Sequence, residues 1–166
     1  MQRLADDGLS FDNAYVASPT CAPSRGALLT GLMPARNGAE PNHAKPRADI
    51  RKWPSYFREL GYEVVAFGKV SHYKQTADYG FDSFAHDTFH DHAGIGAAAT
   101  FLTNRLQNAS RKSLCLLVGS NWPHVPWPDS DLGYDPAALS LPGGFVDSPK
   151  TRQWRAKYAA AVTKAD

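Results

Sequence analysis

Cysteine is scarce in this chain of 166 residues: there are two, Cys21 and Cys115. Two thiols make one bridge at most, so a disulfide framework is excluded and cysteine usage names no compartment. Long apolar runs are lacking too. The longest lies around Leu114–Val118, far short of the ~20 residues a membrane-spanning helix needs. Residues Met1–Leu9 are polar and acidic and do not read as a signal peptide. One-sided charge is also absent. Lys and Arg number 18 against 16 Asp and Glu, for a net charge of +2, and the basic residues form no stripe. That argues against a nucleic-acid partner but leaves room for a weakly positive cleft holding a small anion. There is no internal repeat and no low-complexity tract. What is present is ordinary for a globular chain, 43% hydrophobic and 20% charged residues, and the length suffices for one modest core.

The pattern predicts alternating helices and strands. Met1–Gly8 reads as a short helix ended by glycine, and Phe11–Ala17 as a short strand or extended segment. Pro23–Thr30 reads as a helix stopped at Gly31. Pro34–Asp49, rich in Pro, Asn, Arg and Gly, reads as loop. Pro54–Leu60 has proline in its first turn and Gly61 as its break, which predicts a helix. Tyr62–Phe67 and Ser113–Val118 read as buried strands. Between them, Gly68–His92 reads as loop and Gly96–Leu106 as a helix with Ala99, Leu102 and Leu106 at helical spacing. Asn121–Ser148 is long and irregular, and Thr151–Lys164 reads as a last helix whose basic residues form a solvated face. This order predicts an α/β fold with a mostly parallel sheet, whose ligands sit where loops leave the strands' carboxyl ends. Two such loops, Gly68–His72 and Ser120–Pro126, both carry histidine.

Cys21 falls at the start of a helix, where backbone N–H groups and the helix dipole favour an anion. Arg25, one turn on, can aim its guanidinium fork at the same anion. The plainer reading, a free cysteine beside a helix cap, stays open on these grounds. Cys115, inside an apolar run, reads as a small buried hydrophobe. Lys69 and His72 read either as a basic loop or as anion-binding groups. His124, with proline on both sides in Trp122-Pro123-His124-Val125-Pro126, is either a capping group or an aimed imidazole.

Ser18-Pro19-Thr20-Cys21-Ala22-Pro23-Ser24-Arg25-Gly26-Ala27-Leu28-Leu29-Thr30-Gly31 resembles the signature of the type I sulfatases, Cys-x-Pro-Ser-Arg followed by a small-residue helix ending in Thr-Gly. The preceding Gly8–Tyr15 is also similar to that family's approach to the site. The resemblance implies the three-layer α/β/α fold of the alkaline-phosphatase-like superfamily. It implies a cysteine oxidised to formylglycine by a separate maturing enzyme. The aldehyde hydrates to a diol; one hydroxyl attacks the sulfur of a sulfate ester and the other later expels sulfate. Gly68-Lys69-Val70-Ser71-His72 is similar to the iduronate-2-sulfatase-like branch. By that resemblance Lys69 holds the formylglycine and sulfate oxygens, and His72 hydrogen-bonds the diol and acts as base. His124 contacts sulfate and protonates the leaving alcohol. A sulfated small molecule or carbohydrate is the implied substrate, and a periplasmic, secreted or lysosome-like compartment fits the family. The implied metal is Ca2+ or Mg2+, bound at the Cys21 position as formylglycine, its other ligands lying outside the chain. On this reading residues 1–166 are part of an N-terminal catalytic domain without its first strand and C-terminal part, and inactive alone.

Other features compete. Asp6-Asp7 resembles the family's metal-binding acidic pair but fits a solvated helix end. His86, His90 and His92, with Asp87 and Asp91, suggest a transition-metal site, yet lie in a loop-like stretch without cysteine and fit a surface rim. Two alternatives to the sulfatase stand: a phosphonate or phosphodiester hydrolase of the same superfamily, and a non-catalytic α/β binding domain with unmodified Cys21.

Overall fold

The computed structural model describes residues 1–84, 94–108 and 112–166 and divides them into two compact units, Met1–Gly119 and Ser120–Asp166. In the first unit the chain runs through helices α1 (Gln2–Asp7), α2 (Cys21–Thr30), α3 (Pro34–Asn37) and α4 (Trp53–Glu59) to strand β1 (Glu63–Gly68). A 3-10 turn at Tyr73–Tyr79, strand β2 (Ser83–Phe84), helix α5 (Gly94–Gln107) and strand β3 (Leu114–Gly119) follow. Among the described residues the sheet has three strands in the order β2-β1-β3, every pair parallel.

β1 sets the architecture. Its Val64 and Ala66 point to one face, where they pack with Leu29, Val70, Tyr79 and Phe81. Val65 and Phe67 point to the other, against Ala98 of α5. The period-two alternation of an apolar run thus fills two cores, and burying each larger side chain contributes roughly 1.5–3 kcal/mol. β3 alternates likewise, Cys115 and Leu117 to the first face and Leu114 and Leu116 to the second. It is half-buried rather than the buried strand the sequence predicts, because only β1 pairs with it among the described residues. Arg105 of α5 reaches Glu63 and the Lys112 carbonyl, tying the helix to the start of both strands.

Several expectations need correction. Of the two readings of Phe11–Ala17 the strand does not form: nothing among the described residues pairs with it, and Phe11, Tyr15 and Val16 are 73%, 89% and 68% exposed. High β-propensity expresses fit to a half-buried pleated surface, and that surface is missing here. Pro34–Asp49 is not wholly loop, since α3 starts at Pro34. Gly68–His92 likewise holds the 3-10 turn and β2. α5 exists, but Leu102 and Leu106 are 37% and 84% exposed and Ala99 also faces outward. The sheet takes Gly94, Ala98 and, half-buried, Ala97 and Phe101 instead. Close approach explains the choice: a Cβ on Gly94 would overlap the backbone of Gly68.

In the second unit α6 (Pro149–Ala165) buries Ala156, Ala160 and Ala161. Ser148 caps it, accepting from the Thr151 N–H at 3.2 Å. The irregular stretch before it is held by Arg152, which pairs with Asp147 at 2.6 and 2.7 Å and donates to the carbonyls of Pro136, Ala137 and Leu139. Trp127 packs edge-on against Tyr158, ring centroids 5.5 Å apart.

Candidate active site

α2 begins at Cys21, with Thr20 extended as its N-cap. The first intrahelical bond runs from Ser24 N–H to the Thr20 carbonyl at 3.0 Å. Pro23 has no N–H, so Cys21 and Ala22 present the first turn's donors without an intrahelical acceptor. Cys21 itself is half-buried. The far end closes as the sequence predicts: Gly31 adopts φ 69°, and its N–H bonds the Ala27 carbonyl at 2.8 Å. Buried Asn37 then fastens that end. Its amide nitrogen donates to Thr30 Oγ1 and the Leu32 carbonyl at 3.2 and 3.0 Å, and its oxygen accepts from Ala39 N–H at 2.8 Å.

One turn along α2 from Cys21, Arg25 Nη1 donates to the Lys69 carbonyl just beyond the end of β1. This bond clips α2 to the Gly68–His72 loop. Lys69 and His72 are buried, 8% and 6% exposed, and Ser71 between them is fully buried with its hydroxyl on Thr76 at 2.5 Å. The loop departs from β1 through a close crossing. Gly68 has φ 68°, and a Cβ there would overlap the Gly119 carbonyl. That carbonyl in turn accepts from Lys69 N–H at 2.8 Å. β1 and β3 therefore release their loops from one point.

A residue that sequence reasoning missed joins this edge. His43, in the stretch between α3 and α4, sets Nδ1 2.5 Å from Nε2 of His72, the rings edge-on with centroids 4.5 Å apart. Nothing in its neighbourhood of Pro, Asn and Ala signals this, because the partner lies 29 residues away. Thus in the first unit Arg25 meets the Lys69 backbone and His43 meets His72, with Cys21 a turn from Arg25. His124 lies in the second unit, two residues before cis Pro126, exposed, with Nδ1 on the Val125 carbonyl at 2.5 Å. Asn121, ahead of it, is 4% exposed, and neither polar atom of its amide meets a hydrogen-bond partner among the described residues.

The groups at this edge are nitrogen bases, suited to an anion. Calcium or magnesium needs several oxygen ligands. Among the described residues no three His, Cys, Asp or Glu side chains gather, so these residues do not by themselves fit such an ion. Asp6 and Asp7 sit exposed at the end of α1, Asp6 accepting from Gln2 at 2.7 Å. His86, His90, His92, Asp87 and Asp91 lie outside the described residues. Burial raises the Cys115 thiol above its usual range, in keeping with a packing role.

Solved structures share this fold. One with a TM-score of 0.74 and 21% identity, from a study of glycosaminoglycan metabolism by Bacteroides thetaiotaomicron, covers 92% of this chain, which spans 45% of it. Another, bound to its substrate D-glucosamine-2-N,6-O-disulfate, has a TM-score of 0.61 and 25% identity over 80% of this chain and 31% of its own. A phosphonate monoester hydrolase from Silicibacter pomeroyi has a TM-score of 0.63 and 18% identity over 90% of this chain and 48% of its own. The fold is thus part of an alkaline-phosphatase-like α/β domain. Within that class the assignment narrows: the sulfatase family model matches residues 1–166, and the chain belongs to that family. It is 36% identical over 126 residues to an ulvan-active sulfatase of Formosa agariphila, a match taking in 73% of this chain and 24% of that protein. The chain therefore spans about a quarter of that relative's length.

Proposed function

We propose that the protein carrying this chain hydrolyses sulfate esters, with Cys21 as nucleophile after a maturing enzyme has converted it to formylglycine. The observation that carries this reading is the clip between α2 and the β1 loop. Through Arg25 and the Lys69 carbonyl, the Cys-x-Pro-Ser-Arg turn meets the Lys69–His72 segment at the carboxyl end of a parallel strand. Formylglycine supplies a hydrated aldehyde, one hydroxyl to attack sulfur and another to release sulfate. Arg25 spends one N–H on the clip, and the rest of its fork holds sulfate oxygens. Lys69, pressed into a buried place, adds a second positive group where charge develops. His72 orients the hydroxyls by a hydrogen bond from its ring, and His124 serves the departing alcohol. The metal that the family resemblance implies would draw its carboxylates from elsewhere in the parent protein.

The substrate in this proposal is a sulfated carbohydrate, supported by the ulvan-active relative and by the neighbour bound to a disulfated glucosamine. The Gly-Lys-Val-Ser-His form of the loop supports an iduronate-2-sulfatase-like branch. A second reading, a phosphonate or phosphodiester hydrolase, is favoured by the Silicibacter neighbour.

Peptide mass spectrometry of the full-length protein, co-expressed with a sulfatase-maturing enzyme, should find formylglycine at position 21. The matured protein should turn over aryl sulfate faster than aryl phosphate or phosphonate esters, and the 166-residue stretch alone should turn over neither. An unaltered cysteine would overturn the formylglycine chemistry, and a preference for phosphorus esters would transfer the assignment to the second reading.

A further inference from the structure

His43 is exposed, yet it is held more firmly than a surface histidine needs to be. Its backbone is left-handed, φ 70°, which costs a residue with a Cβ roughly 1–2 kcal/mol. Two hydrogen bonds fix that conformation. The His43 N–H donates to Asn42 Oδ1 at 3.1 Å, and its carbonyl accepts from Gln75 Nε2 at 3.0 Å. Gln75 is itself held by the Tyr79 hydroxyl, which donates to Oε1 at 3.2 Å. Lys45 pairs with Asp78 at 2.8 Å, joining the same loop to the same 3-10 turn. Strain sustained by surrounding contacts is a mark of functional positions.

The hydrogen bonds also carry a direction. Because Asn42 Oδ1 accepts from the His43 backbone, its amide nitrogen is the atom facing His43 Nε2, at 3.4 Å. An amide nitrogen donates, so neutral His43 accepts at Nε2 and carries its proton on Nδ1. That proton points at His72 Nε2, 2.5 Å away. Neutral His72 then accepts at Nε2 and carries its own proton on Nδ1. The ring meets His43 edge-on, and His72 is 6% exposed.

We infer that His43 is a positioning residue for His72: the relay Asn42 to His43 to His72 fixes the ring and the tautomer of that buried imidazole. This rests on the proposed sulfatase reading, in which His72 meets the reacting hydroxyls. A donor at Nδ1 is the form that holds an oxygen of formylglycine or sulfate, and His43 keeps it in place from the solvent side. The relation is that of an outer partner orienting a histidine that meets the substrate, whose loss typically costs about 10- to 100-fold in activity.

Two variants of the matured full-length protein test this. His43→Gly removes the ring while relieving the left-handed backbone, so the fold is retained. His43→Asn keeps a short amide donor and also tolerates that backbone. Turnover of an aryl sulfate should fall about 10- to 100-fold in kcat for His43→Gly, with KM little changed and Tm not lowered, and recover substantially in His43→Asn. Nitrogen-15 NMR of labelled histidine should find His72 protonated at Nδ1 in the unaltered protein and mixed between tautomers in His43→Gly. Equal kcat in the unaltered and His43→Gly proteins, or an unchanged His72 spectrum, would sink the proposal. If the unaltered matured protein turned over no ester, the sulfatase reading would fail, and the NMR comparison would still decide the pair.

Discussion

Lys69 and His72 illustrate how far single residues can be read from their neighbours. A glycine, a lysine and a spaced histidine after an apolar run mark the end of a strand, and the structure buries both side chains there. His43 had no such mark, since its role arises only when a distant loop folds over. The anchorage of that loop makes a prediction about Tyr79. Burial, with Asp78 adding to it, pushes its phenol up to about 12 from the ordinary value near 10. A folded value above the unfolded one means the stabilisation is complete below about pH 10 and is lost as pH rises toward 12. The ionised oxygen also loses the proton it donates to Gln75. In a base titration followed by tyrosinate absorbance, one tyrosine should ionise only with loss of near-UV dichroism. Tyr79→Phe should remove that coupled step. If every tyrosine ionised near pH 10 with the dichroism intact, the buried hydroxyl would play no such part.

At the scale of elements, periodicity located α2, α4, α5, α6 and the two longer strands to within a few residues. It did not say which stripe of α5 meets the sheet. Ile95, Ala99, Leu102 and Leu106 are apolar at helical spacing and face outward, while the smaller Gly94 and Ala98 face inward. Hydrophobicity alone favours the larger stripe. The sheet selects the smaller one because Gly68, Gly94 and Gly119 bring three backbones into contact where β1 and β3 end. The consequence is measurable. Gly31 and Gly68 share almost the same positive φ, 69° and 68°, but a Cβ on Gly31 meets open space. Gly31→Ala should cost about 1–2 kcal/mol in urea denaturation, the backbone term alone. Gly68→Ala should cost clearly more, because the Gly119 carbonyl must also move. Equal losses would mean that the crossing is softer than its geometry implies.

For the whole molecule, the division into two units separates two kinds of order. Met1–Gly119 is organised by a strand buried on both faces, so its stability is dominated by apolar burial. Ser120–Asp166 has one helix and a long irregular stretch held largely by Arg152 and its carboxylate and carbonyl partners. Arg152 holds the Asp147 carboxyl below the usual carboxylate range. That contribution is present above the ordinary value near pH 4 and is lost as pH falls through the lowered one. Arg152→Ala should therefore speed proteolytic cleavage within residues 130–148 at neutral pH, with little change in hydrogen exchange at β1. Cleavage unchanged by the substitution would show that the stretch is held by other contacts.

The α/β alternation, the helix that opens at Cys21, and the strands whose ends carry Lys69 and, two residues past Gly119, Asn121 are all legible from the order of residues alone. Local chemistry suffices for these: proline and glycine at helix ends, apolar runs of strand length, and a cysteine-bearing turn with a distinctive order of residues. The tertiary structure decided which face of α5 is buried and that Phe11–Ala17 remains unpaired. It also placed Arg25 on the Lys69 carbonyl and His43 against His72. Each of these depends on contact between segments far apart in the chain, where the fit of backbones and the direction of hydrogen bonds, rather than local preference, select the outcome.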